Sequence, residues 1–405
     1  MNISINNLRN KIDDINSYLL IAFAFFLPLT VAGGNLFAGI IALLWIIKAD
    51  FKNDFTKLKN NKVVIAVMLF LALHVVGLLW TSDIQWGLYI LKKELKFLWL
   101  PIFMLFVKKE HIKYYITAFL AAMSFAEIVS YGIWFEIIPA FGNASIYNPT
   151  PFNTHITYNP FLAFTIYILL YFIVFDDSIE KKQKYIYAFF IITMSINIFI
   201  TGGRAGQVMY FSMIILLLVQ YFEKQIIKAF IISIIVIPSI VFIAYNSSIL
   251  FKNRVHLAYD QVVNYEDNKN TSVGLRLTFA LNSWKIIKEN PLIGVGTGDF
   301  KNEYEKVNTI NTPQLQPATN PHNMYTLELV QFGILGLLSL FFIAFNQVKF
   351  SLQSKDPLVH KLGITLPLLF GVIMFSDSYL LGHYTTLLFI LFSAILYKDW
   401  DCETN

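Results

Sequence analysis

Apolar runs of about 17 to 25 residues, parted by short polar stretches, recur along the whole chain, and that is the length a helix needs to cross a bilayer. The pattern predicts twelve spans, near residues 17–33, 35–48, 63–80, 87–107, 112–137, 159–175, 184–201, 205–221, 226–244, 324–348, 358–377 and 380–397. The second is short, which suits a tilted or re-entrant segment. Strand-like alternation with turns every ten residues or so is absent, against an outer-membrane barrel. The predicted fold class is all-α: a polytopic helical membrane protein with about 12 transmembrane helices and one large loop between spans nine and ten. Residues 1–244 then hold spans one to nine, 245–323 the loop, and 324–405 the last three spans and a tail. No solenoid or inverted repeat is evident.

Within the loop, "GLRLTFALNSWKIIKEN" (274–290) places Leu277, Leu281, Trp284 and Ile287 at helical spacing. This predicts an amphipathic helix for a membrane surface or for neighbouring spans. "NPLIGVGTGDF" ends it with Asn-Pro and three glycines, a turn-rich stretch where backbone can approach a ligand closely. A long structured loop is usually functional.

Composition sharpens the class. Of 405 residues, 56% are hydrophobic and 14% charged, where a soluble domain has about a quarter charged; a soluble enzyme on one anchor is excluded. The first apolar run is soon followed by another, the pattern of a retained signal anchor. The single cysteine, Cys402, permits no disulfide or cysteine-based metal site within one chain.

Charge sets the orientation. Basic residues gather in loops on one side: Lys48 to Lys62, Lys108 to Lys113, Lys181 to Lys184, Lys224 and Lys228, Lys349 to Lys361, with Arg9, Lys11 and Lys398 near the termini. The short loops of the other side carry only Arg204. The positive-inside rule puts both termini, and Cys402, in the cytoplasm. The 245–323 loop, of mixed charge, falls outside, and so does His322 at the mouth of span ten.

The chemistry gathers on that outer side. Arg204 sits in "FITGGRAGQV"; a guanidinium fork matches phosphate bidentately, the alternative being an arginine that snorkels to headgroups. Arg276 opens the amphipathic helix, where an ordinary solvated charge is the plain reading; paired with Arg204 it suits a diphosphate. Lys92, Lys93 and Lys96 fall in the outer half of span four, either as holders of lipid phosphate or on an interfacial helix that precedes a shorter span. His322 and Asn323 read as a general base and a substrate hydrogen-bonding group, the alternative being a helix cap by Asn320 or Asn323. His155, with Asn153, is a candidate for sugar contact, and Asp299, Glu303 and Asp83 are carboxylates suited to an acceptor. His74, Glu127, Asp377 and His383, in or beside spans, read as packing or hydrogen-bonding residues. No zinc spacing, P-loop or Ser-His-Asp pattern is present, so no metal or cofactor is expected.

Three strings together resemble a known family, in its order: "TGGRAGQ" (201–207) its T-G-S-R-x-G loop, with Gly203 at the serine; "RLTFALNSWKIIKENPLIGVGTGDF" (276–300) its R-x7-W helix and P-x-x-G-x-G; and "PHNMYTLELVQFGILGLL" (321–338) its H-N-x-x-L…G-x-x-G-L segment. The chain resembles the O-antigen ligase / O-antigen polymerase superfamily of bacterial inner-membrane proteins. The resemblance implies a metal-independent, inverting transfer of an undecaprenyl-diphosphate-linked glycan to an acceptor hydroxyl in the periplasm. Arginines, here Arg204 and Arg276, are implied on the diphosphate, and the loop histidine, here His322, near the acceptor.

The expectation is an O-antigen ligase whose acceptor is lipid A–core, with membrane lipids as surroundings and no nucleic acid partner. A repeat-unit polymerase of the same superfamily is the alternative. A transporter, the other class with this layout, predicts charged or broken helices at the midplane, whereas the polar groups here cluster at the outer edge.

Overall fold

A computed structural model describes residues 2–399; Cys402 lies outside them. Among the described residues the regular structure is helical, apart from one bridge between Ser145 and Asn148. The helices are α1 (Asn2–Phe26), α2 (Val31–Lys48), α3 (Phe51–Leu58), α4 (Lys62–Val76), α5 (Ile84–Glu94), α6 (Trp99–Phe106), α7 (Ile112–Trp134), α8 (His155–Phe175), α9 (Lys181–Ile200), α10 (Arg204–Phe222), α11 (Ile226–Ser247), α12 (Ile249–Val263), α13 (Ser272–Glu289), α14 (Phe300–Asn311), α15 (Met324–Gln353), α16 (Pro357–Ile373) and α17 (His383–Leu396).

Each expected span falls on helical chain, with differences. Eight helical stretches are long and apolar enough to cross a membrane: α2, α4 with its terminal 3-10 turn, α7, α8, α9, α10, α11 and α15. The helices α16 and α17 are apolar but shorter. The first predicted span is the second half of α1, whose helix begins far earlier among polar residues. It stops before Pro28, which cannot extend a helix. The fourth is not continuous: α5 ends at Glu94, a 3-10 turn covers Leu95–Leu98, and α6 follows. A lysine–glutamate run there interrupts the apolar face that would carry one helix through. The connection expected to hold one amphipathic helix holds three, α12, α13 and α14.

The chain divides into two compact units, one of residues 1–17, 38–109 and 258–405, the other of 18–37 and 110–257. In the first, aromatic side chains stack through the core, Phe70 on Phe97 (5.5 Å), Phe97 on Phe389 (6.0 Å) and Phe389 on Phe370 (5.1 Å); such edge-on pairs add to the burial they share. Asn61 caps α4 by accepting from Val63 N and Val64 N and donates to the Tyr397 carbonyl at 2.8 Å. A buried polar cluster joins α4, α5 and α15: His74 Nδ1 lies 3.0 Å from the Phe70 carbonyl, and its Nε2 is 3.5 Å from Glu328 and 4.0 Å from Glu94.

The glycine-rich stretch after α13 is the joint of this unit. Gly294, Gly296 and Gly298 all have positive φ, which only glycine adopts cheaply. The backbone approaches other helices closely, and at Gly298 it also lines a cleft with Trp86, Tyr89 and Lys93. Helix α15 is broken at Gly333 (φ 58°), and the stretch fills the break: Val295 N donates to Val330 O, Gly296 N to Gln331 O, and Ile334 N to Pro291 O. Backbone groups freed by a kink need partners in an apolar interior.

In the second unit α8 is the central helix, its residues from Tyr158 to Leu169 buried. Helix α10 crosses it closely because Gly206 rests on Asn159, where a Cβ would come 2.1 Å from the Asn159 Cβ. Asn197 Nδ2 donates to Ser130 Oγ at 2.9 Å, tying α9 to α7.

Candidate functional site

In the first unit the candidates gather around the turn entering α15. Pro321 is buried and His322 takes a left-handed backbone (φ 51°), held as its N–H donates to Asn320 Oδ1 at 2.7 Å. A non-glycine residue kept in this region costs energy and often marks a functional turn. The turn leaves the imidazole exposed, with Nδ1 3.1 Å from Asp377 Oδ1 and its ring 6.0 Å from that of Phe279 in a stacked arrangement. With Nδ1–H given to the carboxylate, Nε2 is the nitrogen with a free lone pair. Asp377, read from sequence as a packing or hydrogen-bonding residue, orients the histidine.

Arg276, half-buried, precedes Phe279 by one helical turn, so α13 carries both toward the same neighbourhood. Its charge is felt by Tyr379, two residues beyond Asp377; burial raises the pKa of that phenol, and Arg276 acts in the opposite sense. Arg276 thus stands one helical turn from Phe279, the residue stacked on His322.

Beside them runs a small cleft, lined among others by Trp86, Tyr89, Lys93, Thr319, Asn320 and Gln331. Lys93 Nζ lies 4.4 Å above the Tyr89 ring, and Lys301 Nζ 4.7 Å above Trp86, contacts that hold cations over aromatic faces. Of the three predicted lysines Lys93 alone lines the cleft. Lys92 is exposed, and Lys96 interacts with Glu94 and His383.

Two candidates are engaged inside the chain. Asn323 is the cap of α15: its side chain accepts from Thr326 N at 3.0 Å and donates to Phe375 O at 3.3 Å. Asp299 is buried and accepts from Thr81 Oγ1 (2.7 Å), Ser82 N (2.6 Å) and Asp83 N (3.0 Å), fixing the turn that starts α5.

Arg204 and His155 lie in the second unit. Arg204 opens α10 directly after the Thr201–Gly203 turn. Thr201 Oγ1 donates to Asn159 Oδ1 at 2.8 Å, and Gly202 N donates to Asn148 Oδ1 at 3.0 Å. The Asn148 amide nitrogen is 3.2 Å from His155 Nδ1, so His155 is coupled to the turn. Gly203 has no room for a side chain: a Cβ would come 2.6 Å from Asn159 Nδ2 and 2.7 Å from the His155 carbonyl. A residue unmarked in the sequence, Arg254 of α12, also reaches this turn, its Nη2 3.1 Å from where a Gly202 Cβ would sit.

These features define a class, an all-helical membrane protein with an exposed histidine at one helix entry and an arginine at another. The sequence model of the O-antigen ligase family matches residues 189–341. That stretch contains all three strings quoted above, so the resemblance to the O-antigen ligase superfamily is borne out. An uncharacterized protein of Haemophilus influenzae is 25% identical over 250 residues, 58% of this chain and 60% of the relative. The chain thus spans about three fifths of that relative's length.

Proposed function

We propose that the protein transfers a glycan from undecaprenyl diphosphate to a sugar hydroxyl of lipid A–core, as an O-antigen ligase of the bacterial inner membrane. The observation that carries the reading is the exposed His322, paired with Asp377 and lying within the stretch that matches the O-antigen ligase family. The charge asymmetry of the loops supports placing both termini in the cytoplasm and this chemistry in the periplasm.

In the proposed step the acceptor hydroxyl attacks the anomeric carbon of the donor. Its proton passes to His322 Nε2 as the new C–O bond forms, and the old C–O bond breaks with its electron pair leaving on the diphosphate. Asp377 stabilises the imidazolium that results. Arg204 and Arg276 are assigned to the diphosphate, since fixed cations offset charge that develops on a leaving group. Inversion at the anomeric carbon follows from a single displacement. Lys93 is assigned to the donor or acceptor phosphates within the cleft, His155 to a sugar contact, and Asn323 and Asp299 to holding the site's turns.

Purified protein given lipid-linked O-antigen and lipid A–core tests the reading. One glycan joined to the core per event is expected, and His322→Ala should slow transfer by roughly 10² to 10⁴. Arg204→Lys or Arg276→Lys should weaken the donor by on the order of 1.5 to 3 kcal/mol through loss of a bidentate contact. Lengthening of the lipid-linked glycan without joining to the core would replace ligase by polymerase. Wild-type turnover in all three variants would overturn the assignment of the site.

A further inference from the structure

We propose that Arg254 is a further phosphate-binding residue, holding a phosphate of a lipid-linked ligand beside the Thr201–Arg204 turn while the ligand's hydrocarbon lies in the adjoining apolar groove. The proposal rests on the donor assigned above and adds a residue and a seat for its lipid.

Three observations within the second unit carry it. The first is placement. Ser248 Oγ donates to the Phe199 carbonyl at 2.9 Å, and Phe251 packs edge-on against Phe199 at 5.1 Å. These contacts fasten the start of α12 to the end of α9, and Arg254 stands one helical turn beyond Leu250. Its guanidinium comes to Gly202 because glycine leaves the space. Any side chain at 202 would meet Arg254 Nη2 at 3.1 Å and Asn148 Oδ1 at 3.5 Å.

The second is charge. Arg254 is half-buried, and no carboxylate among the described residues pairs with it. A guanidinium fork partly withdrawn from water and lacking an anion is suited to bind one from a ligand. It lies next to a turn that ends in a second arginine, Arg204, so the site carries two positive charges in one short stretch of surface.

The third is continuity with an open apolar groove that has no charged residue on its walls. Its walls include Ile146 and Tyr147, Phe199 and Ile200, and Ile249 and Leu250. The first pair directly precedes Asn148 and the second Thr201 and Gly202, while Arg254 follows the third by one helical turn. A ligand that fits is apolar along its length and anionic at one end, which describes a polyprenyl phosphate and not a free phosphate or a neutral prenol.

The test is binding to the purified full chain in nanodiscs of three probes: a polyprenyl diphosphate without glycan, a polyprenol of the same length, and inorganic diphosphate. The wild type should prefer the diphosphate lipid to both others. Arg254→Gln should weaken the diphosphate lipid about ten- to a hundred-fold, the loss of a charge-assisted contact, and leave polyprenol binding unchanged. Gly202→Ala, whose backbone is outside the left-handed region, should act in the same direction by displacing Arg254, and it guards against a fold defect in the first variant. Unchanged affinity for the diphosphate lipid in both variants overturns the role of Arg254. Inorganic diphosphate bound as tightly as the lipid overturns the groove. A wild type that binds the diphosphate lipid but transfers no glycan refutes the proposed function and leaves the Arg254 site standing.

Discussion

Restoring the serine that the superfamily's T-G-S-R-x-G pattern carries should damage this protein. In Gly203→Ser the new Cβ would lie 2.6 Å from Asn159 Nδ2 and 2.7 Å from the His155 carbonyl, against an ordinary contact that begins near 3.4 Å. The two neighbours differ in how they can yield. The Asn159 amide can turn away, at the loss of its 3.4 Å contact with the Gly203 carbonyl and the 2.8 Å bond from Thr201. The His155 carbonyl belongs to the first residue of α8 and cannot move without the helix. An opening of about 0.7 Å between backbone segments is needed there, and forced expansion of a packed contact costs about 1 to 3 kcal/mol. Thermal unfolding in detergent should show Gly203→Ser and Gly203→Ala destabilised alike, because the clash belongs to Cβ and not to the hydroxyl. Transfer should fall with stability, since Arg204 is the next residue. Adding Asn159→Ala should return part of the loss, through the one contact it relieves. A Gly203→Ser protein that melts and transfers like the wild type would refute the packing argument.

Reporter fusions near residue 265 and after residue 399 should give opposite readings, and equal readings would sink the proposed topology. Asp377→Asn keeps the shape of the His322 contact but removes the charge that stabilises an imidazolium, so transfer should slow by less than in His322→Ala while donor binding stays; a wild-type rate would leave His322 without its orienting partner. Transfer should persist in excess chelator, because the diphosphate is assigned to arginines, and restoration of a lost rate by a divalent ion would count against that. His74→Leu should destabilise by about 3 to 5 kcal/mol, since it leaves Glu94 and Glu328 buried without the imidazole between them; unfolding midpoints equal to the wild type would refute it.

What the sequence shows of this protein depends on the range of the physics involved. Membrane helices are written locally, in length and apolarity, so each expected span fell on helical chain. Short polar or proline breaks shift the boundaries: Pro28 ends α1, and the run from Lys92 to Lys96 splits a segment whose hydropathy stays high on both sides. Helix α14, "FKNEYEKVNTIN", is mostly polar, and it is held on α13 by Phe279 meeting Tyr304 edge-on at 5.8 Å and by Asn311 Nδ2 donating to Asn282 Oδ1 at 3.0 Å, a tertiary effect.

The site divides in the same way. Arg204, Arg276 and His322 sit in strings whose order carries meaning, so as candidates they are legible. Asp377 reaches His322 across 55 residues of chain, and no spacing rule links the two. Arg254 is one cation among several in the 245–323 connection, and the contacts of Ser248 and Phe251 with Phe199 bring it to Gly202. The glycines of "TGGRAGQ" read as a flexible bend, yet the fold uses Gly203 and Gly206 for want of a side chain, where α10 meets Asn159. A glycine before an arginine thus has two explanations from sequence alone, freedom of the backbone and absence of a Cβ. Gly203 lies outside the left-handed region, so backbone freedom is not what position 203 demands. The space against Asn159 is, and for that reason the serine variant is the sharper test of how this turn holds its arginine.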